Sequence, residues 1–143
     1  IGTNGTIAVA FDLLVRIALL SSLSQEKLFW VLLLAPVTAK AILPLIMKIS
    51  VYARAEGMGG LFLGRQKWGR TIIALAMGVL AAFGILGSDG LICFGAALLT
   101  ALLFRSYIYS KLHGMTGDTI GATNEIAEMI FLLAAAVIWR EML

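Results

Sequence analysis

Five apolar runs, each near the length that crosses a bilayer, dominate this chain. A helix spanning about 30 Å of hydrocarbon needs ~20 mostly apolar residues, so these runs constrain the fold more than any other feature. The first extends from about Gly5 to Leu23, interrupted by Asp12 and Arg16. The second, Leu28 to Val51, contains Pro36, Lys40, Pro44 and Lys48. The third, Thr71 to Gly87, holds no charge, and the fourth, Gly90 to Leu112, carries Arg105 and Lys111 near its end. The fifth, Asn124 to Leu143, is fully apolar only from Met129 to Trp139. Its polar first turns must therefore face protein or a wet cavity rather than lipid. The runs are continuous rather than alternating, which selects helices over barrel strands. The expected architecture is all-α: a polytopic transmembrane bundle of about five spans, forming a single domain over residues 1–143. Gly78, Ala82, Gly95 and Ala134 to Ala136 offer close helix approach.

Composition removes other classes. The chain is 61% apolar and only 13% charged, against roughly 45–50% and 25% in a soluble domain. A disordered tail and an ordinary cytosolic enzyme are excluded. Cys93 is the single cysteine and His113 the single histidine, so a disulfide framework, a thiolate centre and a histidine-rich metal site are excluded too. The net charge of +3 is not concentrated on a basic face, and no nucleic-acid partner is expected.

Charge placement sets the topology. Arg54, Arg65, Lys67 and Arg70 lie between the second and third runs, and Arg105 and Lys111 precede the loop after the fourth. The Gly87–Gly90 turn has no basic residue, and the first link has only Lys27 beside Glu26. The excess of basic residues in cytoplasmic loops assigns residues 51–70 and 113–123 to the cytoplasm. Trp30 and Trp139 then fall at the opposite interface. The expected location is the cytoplasmic (inner) membrane, multi-pass, with the polar loops facing the cytoplasm and the lipid bilayer as surroundings.

Three groups could carry chemistry. In the run from Met115 to Glu128, a helix beginning near Asp118 puts Asp118, Gly121, Glu125 and Glu128 on one stripe, at about 100° per residue. Clustered carboxylates need a cation or donors to answer them, and Mg²⁺ takes carboxylate oxygens while leaving positions open for phosphate. The alternative is that Asp118 caps the helix and the two glutamates are solvated. The second group runs from Tyr52 to Gly60 and continues through Gly64, Arg65, Lys67 and Arg70. Glycines let backbone N–H groups converge on an anion, and arginine pairs with phosphate in a bidentate fork. The alternative is a basic loop on anionic lipid. The third is intramembrane charge. Asp12 and Arg16 can pair at i, i+4, which reads as structural. Lys40, about 18 Å into its span, shares a face with Pro36 and Pro44 and suggests a cavity open to a polar ligand.

These residues resemble a known family. Ile1-Gly2-Thr3, Tyr52-Ala53-Arg54 with Glu56, Gly57, Met58 and Gly59, and Thr116-Gly117-Asp118-Thr119-Ile120-Gly121-Ala122 with Glu125 and Glu128 look like cobalamin synthase, the adenosylcobinamide-GDP ribazoletransferase family. The resemblance runs along essentially the whole chain, as the C-terminal portion of such an enzyme. It implies a membrane transferase of cobalamin biosynthesis that joins adenosylcobinamide-GDP to α-ribazole, or its 5′-phosphate, releases GMP and requires Mg²⁺. It implies Asp118, Glu125 and Glu128 as catalytic, with Asp118 and Glu125 on the metal. Lys40, Arg54, Glu56, Gly57, Gly59, Arg65, Lys67, Thr116 and Gly117 would bind substrate. The family carries a further acidic motif upstream of the segment matching Ile1-Gly2-Thr3, has Arg where this chain has Lys40, and has a small residue where this chain has His113. A membrane phosphotransferase of the CDP-alcohol type and a non-catalytic or transport module are the competing functions. The number of subunits stays open, a homo-oligomer included.

Overall fold

The structure, a computed structural model, describes residues 3–53 and 63–139. Among them the chain is helical, with α1 at Thr3–Ser21, α2 at Gln25–Lys48, α3 at Trp68–Leu112 and α4 at Gly117–Ile138. All four helices are long and apolar enough to cross a membrane.

At ~1.5 Å per residue a straight α3 would be about 67 Å long, more than twice the hydrocarbon thickness. It is not straight. Gly87 adopts φ 62° and ψ −141°, outside helical space, and breaks α3 into two limbs, 68–86 and 88–112. The limbs fold back on each other. A Cβ built on Gly90 would lie 2.1 Å from the carbonyl oxygen of Ala82, and one on Gly78 would lie 2.8 Å from the Phe94 ring. In a continuous helix residues 78 and 94 would be about 24 Å apart. Among the described residues the helices therefore form five segments that match the five apolar runs in order, with the third and fourth joined by this break.

The helices pack through small residues, as expected where lipid removes the hydrophobic drive between helices and close approach supplies the attraction. Gly78 meets Ala41 of α2 and Phe94 of the second limb at once. Ala39, Ala82, Ala97, Ala101 and Ala135 are almost fully buried. Gly95 is the exception to the expectation, since it is exposed and a Cβ there would meet nothing within 4 Å. The core lies between α2, α3 and α4 around Val31, Ile42, Ile46 and Phe131. Helix α1 has no buried residue and packs mainly on α4.

The passes alternate, so the bundle has two ends. At one, Trp139 Nε1 donates to Asp89 at 2.9 Å, and Lys27 Nζ sits 4.6 Å over the Trp139 ring. The other end gathers Lys48, Arg65, Lys67, Arg105 and Lys111, the loops that join α2 to α3 and α3 to α4, and the start of α1.

Candidate functional site

The polar loops are held together by backbone. Met115 N donates to Val51 O at 2.8 Å, and Ala53 N donates to Met115 O at 2.9 Å, closing a short parallel bridge between Tyr52 and Met115. Gly114 makes this approach possible, because a Cβ there would sit 2.8 Å from Val51 O and 2.9 Å from the Ala53 backbone. Side chains brace the joint. Val51 N donates to the Tyr109 hydroxyl at 2.7 Å. Arg105 donates to Ser50 Oγ and to the Ile49 carbonyl while its guanidinium stacks 4.3 Å from the Tyr109 ring. Two loops separated by more than sixty residues of chain are thus clasped at one end of the bundle.

Directly after the clasp, α4 begins with a capping box. Thr119 N donates to Thr116 Oγ1, and Thr116 N donates to Thr119 Oγ1 at 2.8 Å. Thr116, not Asp118, is the cap. Asp118 lies in the first turn, exposed, at the positive end of the helix dipole. His113, at the end of α3, takes a left-handed conformation with φ 54°, a position that favours glycine or asparagine.

A second polar group lies deeper. Arg16 Nε donates to Asp12 at 2.8 Å, its NH1 to Glu128 at 3.0 Å and its NH2 to Glu125 at 2.7 Å. On the other side of Glu128, Asn124 Nδ2 donates to Oε1 at 2.9 Å, and Asn124 Oδ1 accepts from Lys40 Nζ at 2.9 Å. The chain of contacts crosses α1, α4 and α2. Its depth follows from antiparallel geometry. Helix α2 runs into the clasp and α4 runs out of it, so residues a similar number of steps from the clasp meet, about 12–15 Å below it. An open, largely apolar groove of about 480 Å³ between α2 and the first limb of α3, lined by Pro36, Val37, Lys40 and Met77, runs beside Lys40.

The structure thus brings some of the expected residues together and leaves others apart. Glu125 and Glu128 share one cation, Arg16. Asp118 stands two turns above Glu125, about 10 Å along the axis, and Gly121 between them faces open space. Thr116 and Gly117 flank the clasp. Arg65 and Lys67 are exposed at the same end, where Lys48 Nζ donates to Gly64 O. Arg54, Glu56, Gly57 and Gly59 lie outside the described residues, although Ala53, the residue before Arg54, is itself part of the clasp. The link from Asn124 to Lys40 and the reach of Arg16 beyond Asp12 carried no signal in local spacing, because these partners are more than eighty positions away.

Metal chemistry is constrained by the same geometry. Among the described residues no group of three or more His, Cys, Asp or Glu side chains is placed to hold an ion. Asp118 and Glu125 are hard oxygen ligands too far apart for an all-protein cage. Glu125 is already paired with Arg16, so Asp118 is the exposed carboxylate able to offer a single hard oxygen to a cation such as Mg²⁺, whose shell water and substrate phosphate would complete.

A membrane bundle with two clasped polar loops above a partly exposed carboxylate–cation network is the class these features define. Comparison with known proteins narrows it. Residues 1–136 match the family described as cobalamin-5-phosphate synthase, and the chain belongs to that family. It is 44% identical over 135 residues to an adenosylcobinamide-GDP ribazoletransferase of Clostridium novyi (strain NT), covering 94% of this chain and 54% of that protein. It is 35% identical over 140 residues to the enzyme of the same name from Caldanaerobacter subterraneus subsp. tengcongensis, covering 96% and 56%. The Listeria monocytogenes serovar 1/2a protein of that name is 32% identical over 142 residues, covering 97% and 56%. The chain therefore spans about half the length of the curated relatives it matches. No solved structure matches it.

Proposed function

We propose that this chain supplies part of the active site of a transferase that joins adenosylcobinamide-GDP to α-ribazole, or to its 5′-phosphate, and releases GMP. In that reaction an acceptor hydroxyl oxygen bonds to the phosphorus attached to cobinamide. The bond from that phosphorus to the GMP oxygen breaks, and GMP leaves with the electron pair. The hydroxyl proton passes to a carboxylate of the Asp118, Glu125 and Glu128 stripe. Catalysis of this kind is mostly positioning and charge stabilisation, so it needs anion-binding groups beside a base.

The observation that carries this reading is the pair of backbone hydrogen bonds joining Val51 and Ala53 to Met115. It brings Tyr52 and Ala53, the residues before Arg54, beside the start of the Thr-Gly-Asp segment at one end of the bundle. There, the free N–H groups at the start of α4, with Thr116 and Gly117, favour a phosphate oxygen. Arg54, Arg65 and Lys67 would bind the diphosphate, with the Glu56, Gly57 and Gly59 backbone wrapping it, and Lys40 would reach a phosphoryl oxygen from within the bundle. Mg²⁺, if bound with the substrate, would be held by Asp118 and, once released from Arg16, by Glu125, and would neutralise diphosphate charge. The basic residues gathered at the clasp end favour a cytoplasmic position for this site in the inner membrane.

Membranes carrying the protein, expressed from its full reading frame, should release GMP when given adenosylcobinamide-GDP, α-ribazole and Mg²⁺. They should stop when the metal is chelated. Ion or solute flux in liposomes without GMP release would instead indicate a transport module. An Asp118→Asn variant should lose at least about tenfold in turnover at unchanged membrane level.

A further inference from the structure

Asn124 is 6% exposed and stands between a cation and an anion. Its amide oxygen takes the Lys40 ammonium, and its amide nitrogen serves Glu128 at 2.9 Å and Glu125 at 3.4 Å. The orientation of the amide is dictated by chemistry. Lysine only donates and an ionised carboxylate only accepts, so one flip satisfies both neighbours and the other satisfies neither. An amide is the neutral side chain that can serve a donor and an acceptor simultaneously from one rigid plane. Without it, Lys40 and Glu128 would be drawn toward a direct ion pair.

We infer that Asn124 is a positioning residue for the transfer reaction, acting through Lys40 and Glu128, an inference that rests on the activity proposed above. It spaces the ammonium from the carboxylates. Two of the three Lys40 N–H donors stay uncommitted to Asn124 and are available to a phosphoryl oxygen of the nucleotide-activated substrate. It also holds one oxygen of Glu128 while Arg16 holds the other. The pairing suits lysine in particular. A single ammonium is satisfied by one amide oxygen, whereas the planar fork of arginine presents two parallel donors.

The test is kinetic, on the membrane-bound protein expressed from its full reading frame. Asn124→Leu keeps side-chain volume in an apolar setting while removing both hydrogen bonds. It should lower kcat/KM for adenosylcobinamide-GDP by at least about tenfold, while KM for α-ribazole stays within about twofold. The double variant Lys40→Met with Asn124→Leu should lose clearly less than the product of the two single losses, since the Lys40 share of the Asn124 effect is already gone. A purely structural role would reduce the amount of folded protein and leave both substrate constants unchanged. Should Asn124→Leu fail to accumulate, Asn124→Gln and Asn124→Asp decide the matter. The amide variant should keep activity within about threefold, and the acid, which places a third carboxylate beside Glu125 and Glu128, should lose at least about tenfold. Wild-type activity in Asn124→Leu, independent effects in the double variant, or equal activities for the Gln and Asp variants would overturn the inference while leaving the transferase reading intact. A wild-type protein that releases no GMP would overturn both.

Discussion

The polar end of this bundle has two tiers built by opposite means. At the loop level, residues 51–53 and 114–115 are joined through main-chain hydrogen bonds across a glycine. About 12 Å deeper, Asp12, Arg16, Lys40, Asn124, Glu125 and Glu128 are joined through side chains, apart from one contact of Arg16 to the Glu125 carbonyl. A main-chain joint tolerates most substitutions and fails at the one position where a Cβ cannot fit. A side-chain network depends on the identity of every member. The upper tier therefore fixes where two segments of the chain stand, and the lower tier fixes charge. Removing a member of each should give different signatures.

Breaking the clasp should have the largest effect. Gly114→Val drives a branched side chain into the Val51 and Ala53 backbone. GMP release should fall by about 100-fold or more, roughly 2.7 kcal/mol of transition-state stabilisation, with helical content by circular dichroism unchanged. Near-normal release would show that the clasp does not hold the site. Gly90→Ala strikes both tiers through the shared scaffold, because its Cβ meets the Ala82 carbonyl. It should cost about 1–3 kcal/mol of stability, read as a lower melting temperature in detergent with little change in KM for the surviving enzyme. An unchanged melting temperature would contradict the folded-back α3.

The lower tier is sharpened by Arg16→Ala. It leaves Glu128, with 15% of its side chain exposed, without its cation and unties α1 from α4. Turnover should fall by about tenfold, and Arg16→Lys should recover only part of it, because an ammonium cannot present the guanidinium fork to three carboxylates. Complete recovery by lysine would mean that charge alone matters there. The smallest effect belongs to the edge of the clasp. His113→Gly relieves a left-handed backbone and should stabilise the protein by about 0.5–1 kcal/mol without altering turnover. A loss of activity would give His113 a role beyond ending α3.

Much of the fold was legible from residue order. The five apolar runs correspond to five helical segments among the described residues, and the Gly87–Gly90 turn falls where α3 breaks. The described ends of the polar loops, residues 50–53 and 113–116, meet at one end, as the distribution of arginine and lysine implied. Helix α4 starts at Gly117, so the acidic stripe lies on a helix face as the spacing required. What was not legible was who answers the acids. Asp12 and Arg16 read as a local i, i+4 pair, and that pair exists. The same guanidinium also reaches two glutamates more than a hundred positions away, which no local pattern encodes. Gly95 had the composition of a packing residue but the wrong azimuth, and it faces outward.

Length, hydropathy and the order of charges were enough to determine that this chain is a set of bilayer-length helices with its polar loops on one side. Each helix satisfies its own backbone, so that information is local. The tertiary structure decided which loops touch and which charges pair. Those outcomes depend on the crossing and depth of helices distant in the chain, and hence on where a glycine lets two backbones meet.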